Sequence, residues 1–273
     1  MAFWTYKGLK FGIKSVKFPK ENDFYDGFIS SIKIDLQKCL NLMEKSNEPK
    51  CRECEFVCPT KAINLNTEPA LKVIDADRCI FCGLCIDVCT DVTGSADTRA
   101  ISYTAELDFE ILPQNYAVDK KVFKKSLFVK HIDTGSCGAC ESEINALNNP
   151  YYNMHRLGIF ITPTPRFADV LLVTGTFTER MAEVFFNVLD NIPKPRFIVL
   201  IGSCALFGGV FEKGDYKFNS GLLQRDGTDL QRKGADSNLS PLENENVIAL
   251  PHCPPNPFEI LNVLLLIKNG GLK

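Results

Sequence analysis

Twelve cysteines carry most of the chemistry available to this chain. Eight fall between Cys39 and Cys89, and the others are Cys137, Cys140, Cys204 and Cys253. Most stand in tight groups or beside glycine and proline, which suits metal chemistry better than a disulfide scaffold. The N-terminus has lysines but no continuous apolar stretch and no small-residue cleavage site, so no secretory signal is expected. In a reducing compartment the thiols then stay reduced and free to bind metal. Their spacing sorts them. Cys79, Cys82, Cys85 and Cys89 form Cys-x2-Cys-x2-Cys-x3-Cys, and Cys51, Cys54 and Cys58 repeat its second half.

The complete run is the one that bacterial ferredoxins use to bind a 4Fe–4S cluster, the fourth cysteine serving the other cluster of a pair. Three thiolates must turn inward around one cubane within a short loop. Gly83 eases that loop, and Ile80, Phe81, Leu84 and Val88 offer an apolar wrap. An internal repeat explains the exchange. Ile34-Asp-Leu-Gln-Lys-Cys39 recurs 40 positions on as Ile74-Asp-Ala-Asp-Arg-Cys79, and each copy later reaches an Ala-Ile pair, at 62–63 and 100–101. Such a unit shares its core with its twin. The crossed assignment gives one cluster Cys58, Cys79, Cys82 and Cys85, with Pro59 after Cys58 as the motif requires. The other takes Cys51, Cys54, Cys89 and, from the matching lead-in, Cys39. This second set is irregular: 11 residues separate Cys39 from Cys51, and Thr90 follows Cys89. A four-thiolate zinc site is the alternative, since paired Cys-x2-Cys also suits zinc, but a crossing fourth cysteine fits iron–sulfur better.

The elements that position these thiolates follow from composition and pattern. The 273 residues are 45% hydrophobic and 23% charged, ordinary usage for a folded chain of one or two domains. A net charge of −2 gives no basic field for nucleic acid, and no nucleic-acid partner is expected. No apolar run approaches the ~20 residues needed to span a bilayer; the run from Phe197 to Phe211 is interrupted by Gly202, Gly208 and Gly209. Four domains or segments are expected: an N-terminal basic and aromatic strap over 1–30, a two-cluster α+β ferredoxin-like domain over 31–112, a linker over 113–125, and an α/β domain over 126–273. The last contains a polar insertion at 212–246, too long for an ordinary connection.

Within the α/β domain, strands are predicted at Leu127–Ile132, Ile159–Thr162, Val170–Thr174, Phe197–Ile201 and Val247–Leu250. Helices are predicted at Glu141–Leu147, Glu179–Leu189 and Pro257–Ile267. The last opens on Asn256 as N-cap, Pro257 and Glu259, and ends at Gly270 and Gly271. Alternation of strands and helices implies a flavodoxin-like parallel sheet covered on both faces. Cys137, Cys204 and Cys253 each follow a strand, so all three and Cys140 belong to the one edge where ligands bind. Three clusters of four cysteines use all 12 thiols, leaving none for a cysteine nucleophile.

Ser126 to Gly209 resembles the small subunit of energy-converting, membrane-bound nickel–iron hydrogenases, a family related to the cluster-bearing subunit of complex I. The resemblance rests on Asp133-Thr-Gly-Ser-Cys-Gly-Ala-Cys-Glu-Ser-Glu143, His155-Arg-Leu-Gly158, Pro163-Thr-Pro-Arg166, Ile201-Gly-Ser-Cys-Ala205 and Cys253-Pro-Pro255. From about Phe18 the N-terminal portion resembles the two-cluster ferredoxin-like subunit of the same complexes. The resemblance implies that Cys137, Cys140, Cys204 and Cys253 hold a proximal 4Fe–4S cluster facing a nickel–iron large subunit. It further implies antiporter-like membrane subunits and an electron donor such as ferredoxin or a formate dehydrogenase module. The chain would then be a peripheral electron-transfer subunit, on the cytoplasmic face of the cell membrane, with no catalytic centre of its own. A related complex without nickel, reducing quinone, is the alternative. His252 and Phe167 depart from the family, which usually has glycine and often has histidine there.

Glu141 and Glu143 match acidic positions of the family motif, where they imply a proton relay; acids in a first helical turn also offset its dipole. His252 reads either as a hydrogen-bond donor to a cluster sulfur or as a buried interface histidine. His131 and His155 read as structural. Residues 1–20, with five lysines, no acids and several aromatic residues, suit a membrane interface or an acidic partner.

Overall fold

A computed structural model describes residues 3–12, 28–39, 51–65, 73–76, 78–105, 110–111, 123, 125–209, 223–226, 229–232 and 245–270. The strap begins as helix α1, Phe3–Phe11, which buries none of its residues and exposes Phe3, Trp4, Tyr6, Leu9 and Phe11. Gly8 does not prevent the helix, and the chain leaves it at Gly12, whose N–H returns to the Gly8 carbonyl at 3.0 Å.

The repeat folds as a pair of crossed halves. Strand β1 (Ser31–Ile34) pairs antiparallel with β2 (Ile101–Thr104), Ile34 facing Ile101. In the other copy Ile74 bridges Ile63. The Asp35 N–H donates to the Ala100 carbonyl and the Asp75 N–H to the Ala62 carbonyl, both at 2.7 Å. Each lead-in therefore pairs with the Ala-Ile of the other copy. Helices α2 (Glu53–Val57) and α3 (Leu84–Thr93) pack together, and Ile32, Ile63, Leu65, Val73, Ile86 and Ile101 close the core beneath them.

The second half is a six-stranded sheet in the order β3-β10-β7-β6-β4-β5. The five strands β4 (Leu127–Asp133), β5 (Ile159–Ile161), β6 (Val170–Thr174), β7 (Phe197–Ile201) and β10 (Asn246–Leu250) run parallel. β3 (Glu110–Ile111) pairs antiparallel with β10 at the edge. In chain order the parallel strands stack 2-1-3-4-5, the flavodoxin-like arrangement that the sequence implies. β6 and β7 are buried at every residue because helices cover both faces. Leu127, Val129, Val170, Leu172, Val199 and Leu250 meet α4 (Ala139–Ala146) and α7 (Pro257–Asn269). Leu171, Val173, Ile198, Leu200 and Ala249 meet α5 (Glu179–Asp190) and α6 (Gly202–Phe207).

Helix α7 starts as its sequence requires. Asn256 Oδ1 accepts from Phe258 N at 3.0 Å, and Glu259 Oε2 accepts from Asn256 N at 2.8 Å. Of the polar segment at 212–246, β8 (Leu223–Asp226) and β9 (Asp229–Arg232) form an antiparallel hairpin. Its last two positions belong to the core: Asn246 opens β10, and Glu245, 5% exposed, receives Arg196 through two hydrogen bonds of 3.0 and 2.8 Å. Most of the expected linker and strap, and the rest of the insertion, lie outside the described residues.

Candidate metal centres

The repeat gathers its eight cysteines into two groups. Cys39, Cys51, Cys54 and Cys89 line one cavity with Ile34, Val88 and Ile101. Cys58, Cys79, Cys82 and Cys85 line another with Ile32, Ile63 and Ile80. Each copy thus gives its last cysteine to the other's group, and Cys39 stands with the irregular set despite its distance in sequence. The symmetry reaches the sulfur atoms: the Ala62 N–H donates to Cys58 Sγ at 3.2 Å and the Ala100 N–H to Cys89 Sγ at 3.3 Å. Burial, then crowding by neighbouring thiols, pushes Cys54 and Cys85 up to about 12. Burial also pushes Cys79 up to about 11, against a backbone hydrogen bond from Phe81.

The third group forms where three parallel strands end. After β4, Asp133 Oδ1 accepts from the backbone N–H of Gly135 and Ser136, both at 2.8 Å, and Ser136 Oγ donates to Asp133 Oδ2 at 3.0 Å. This folded loop delivers Cys137 to the surface and Cys140 into the buried first turn of α4. β7 runs without a break into α6, which carries Cys204, and β10 leads to Cys253. Burial first, then Cys253 and Cys137, pushes the Cys140 thiol up to about 12. A thiol hydrogen bond between Cys204 and Cys253 raises Cys204 and holds Cys253 below the ordinary thiol value.

Two contacts join this group to the repeat. Ser203 Oγ donates to the Cys79 carbonyl at 3.3 Å. The rings of Phe81 and His252 lie 4.7 Å apart between centroids. Cys253 is close enough to raise the Cys79 thiol, and Cys54 close enough to raise Cys85. The group containing Cys79 therefore has a neighbouring thiol group on each side. Sequence reasoning named Phe81 only as apolar wrap and did not anticipate its contact with His252, because the two lie in different halves.

The other residues singled out by sequence fall into place around these groups. Glu141 and Glu143 are half-buried in α4; burial pushes the Glu143 carboxyl up, and Glu141 lies near enough to His131 to favour its charge. His131 Nε2 is 2.9 Å from Thr174 Oγ1, and burial holds its ring below the ordinary value. His155 stacks on Phe160 at 5.5 Å. Phe167 is 70% exposed.

The donor sets fit iron–sulfur clusters in their chemistry. Each contains four thiols; Glu53 borders the group of Cys39, Cys51, Cys54 and Cys89 beside its apolar wall, whereas Cys58, Cys79, Cys82 and Cys85 share their cavity with no carboxylate. Around the third group the backbone is cut back for bulk: a Cβ at Gly202 would stand 2.7 Å from Cys140 Sγ, and one at Gly209 2.7 Å from Cys204 Sγ. Among the described residues, no group of three or more His, Cys, Asp or Glu side chains gathers round a single-ion position. Among the same residues no helix is long and apolar enough to cross a membrane.

Comparison with known proteins agrees with this division. Residues 49–92 match the 4Fe-4S dicluster domain, and residues 137–267 match the family of the NADH ubiquinone oxidoreductase 20 Kd subunit. A probable membrane-bound hydrogenase subunit of Pyrococcus furiosus is 32% identical over 146 residues, 54% of this chain and 76% of that protein. Formate hydrogenlyase subunit 7 of Escherichia coli is 30% identical over 173 residues, 63% of this chain and 60% of that protein. Among solved structures, a chain of the membrane-bound sulfane sulfur reductase, an archaeal respiratory membrane complex, matches 55% of this chain and 75% of its own length, at 22% identity and a TM-score of 0.39. The chain belongs to the family of the 20 kDa subunit of NADH:ubiquinone oxidoreductase, shared with hydrogenase subunits, and carries a 4Fe–4S dicluster domain fused ahead of it.

Proposed function

We propose that this chain carries electrons along three 4Fe–4S clusters, from a reduced carrier to a nickel–iron hydrogenase-like large subunit. The donor is a ferredoxin or a formate dehydrogenase module, and the assembly is membrane-bound and ion-translocating, with antiporter-like subunits. The chain sits on the cytoplasmic face, held there by its partners. One observation carries the reading: all 12 cysteines gather in three groups of four, the middle group adjoining both others.

Bound there, each cluster supplies a one-electron carrier. The chain supplies the rest. Cys39, Cys51, Cys54 and Cys89 hold the first cluster, and Cys58, Cys79, Cys82 and Cys85 the second. Cys137, Cys140, Cys204 and Cys253 hold the proximal cluster. The buried isoleucines of the repeat exclude water, and the amides of Ala62 and Ala100 donate to ligand sulfur, both of which set the potential. Glu141, beside a ligand and in the first turn of α4, is the candidate to take a proton at the partner's active site, with Glu143, whose carboxyl burial raises, as the second member of that relay.

The family model, drawn from an NADH ubiquinone oxidoreductase subunit, favours a second reading in which the same relay serves a partner without nickel. Metal analysis of the purified complex tests both. About 12 iron with matching sulfide per chain, and three signals in an EPR redox titration, are expected. Zinc without sulfide would overturn the relay in favour of a zinc-stabilised scaffold. Nickel with hydrogen evolution supports the first reading, and a nickel-free, quinone-reducing complex the second.

A further inference from the structure

His252 combines three unfavourable features. Its backbone is left-handed, at φ +79°, a region unfavourable for any residue with a Cβ. Its side chain is 1% exposed. Its Nδ1 and Nε2, together with Glu259 Oε1, are buried polar atoms lacking a hydrogen-bond partner among the described residues, and a buried donor left unmade is destabilising. Such costs persist where the surroundings over-determine a residue, and they gather at functional sites.

The surroundings do fix this ring. Phe81 lies against it with an interplanar angle of 37°, and Phe81 is itself left-handed at φ +51°. The His252 carbonyl accepts from Ser203 N at 2.9 Å. Nδ1 stands 3.5 Å from Glu259 Oε1, whose carboxyl is fully buried and anchored through Oε2 by the N-cap of α7. The ring borders the same cavity as Cys79, and its own chain neighbour is Cys253. An imidazole thus occupies the gap between the middle and the proximal cysteine groups, with one nitrogen turned to a carboxylate.

We propose that His252 tunes the proximal centre: the His252–Glu259 pair carries two protons, one held between Nδ1 and Oε1 so that Glu259 orients the ring, the other on Nε2, whose N–H donates to sulfur of the cluster held by Cys253. The inference rests on the cluster reading above. A donor to sulfur stabilises the more negative, reduced form and so raises the potential. Glycine would satisfy the left-handed backbone at no cost, so a histidine there is retained for its ring.

The test uses the full chain in its assembled complex, with iron and sulfide counted before any potential is read. His252→Gly relaxes the backbone and His252→Phe keeps a ring against Phe81; both remove the donor. Each should retain its iron while the proximal cluster's reduction equilibrium shifts about tenfold toward the oxidised form, about 59 mV for one electron. His252→Gln, which keeps an N–H, should restore most of that shift, and Glu259→Leu, which removes the group that orients the ring, should move the potential in the same direction by less. Unchanged potentials in a fully loaded Gly or Phe variant would overturn the proposal. Should one of these not assemble, Glu259→Leu decides, because an intact cluster at the wild-type potential is again contrary. Absence of iron and sulfide from the wild type would instead defeat the cluster reading itself.

Discussion

The hydroxyl of Ser203 donates to the carbonyl of Cys79, 124 positions away, and so ties the turn that carries Cys204 to the loop that carries the middle cysteine group. The bond spans the two halves of the chain. Ser203→Ala should cost about 0.5–1.5 kcal/mol, the net worth of one such bond, read as a lower urea midpoint for the loaded protein. It should also loosen the seam, seen as faster proteolysis between the halves. An unchanged midpoint and cleavage rate would show that the seam is held by packing alone.

Cys39 is placed with Cys51, Cys54 and Cys89 although its spacing is irregular. Cys39→Ser should therefore remove about four iron per chain and one EPR signal, leaving the other two. A variant that keeps about eight iron in its dicluster half would show that another group completes that set.

Gly202 stands at φ +85° with Cys140 Sγ on one side and the His252 carbonyl on the other. A methyl group there strains the backbone and collides with the thiol 2.7 Å away. Gly202→Ala should lose the proximal signal while sparing both signals of the repeat. Full occupancy of all three would mean that α6 shifts freely, contrary to its burial.

Arg196 and Glu245 form a buried pair, 8% and 6% exposed at their side chains, with Lys194 adding a contact of 3.1 Å. Burial alone would raise the Glu245 carboxyl; hydrogen bonds from Arg196 and Lys194 outweigh it and hold the group below its ordinary value. A carboxyl so depressed stabilises the fold above its unfolded-state value, and that contribution is lost as pH falls through the folded-state value. Denaturant midpoints should accordingly drop on acidification, and less steeply in Glu245→Gln. Arg196→Ala leaves the buried Glu245 only Lys194 as a cationic partner and should cost about 1.5–3 kcal/mol at neutral pH. Identical acid slopes for wild type and Glu245→Gln would refute the assignment.

Much of this was legible in the residue order because its causes are local. Asn256, Pro257 and Glu259 specify the start of α7 within four positions, and the box forms as written. The matching lead-ins at Ile34 and Ile74 announce the crossed pairing that the Asp35 and Asp75 amides then make. Helix α6 was not legible: only Gly202 and Ser203 separate it from the apolar run of β7, and six residues are too few for periodicity to mark a helix. Nor was the meeting of Phe81 with His252, which depends on how two independently folded halves dock. The burial of Glu245 is hidden in the sequence for a related reason. Glu245 looks solvated in sequence, yet the guanidinium that draws it inward lies 49 positions earlier.

The interlacing of the duplicated half has one more consequence. Cys58 stands with the ligands of the copy that follows it, and Cys89 with those of the copy that precedes it. Neither copy holds all four thiols of a group, so truncating one removes a thiol from the group seated mainly on the other. Either copy produced alone would therefore bring three thiols to its group and lack the fourth.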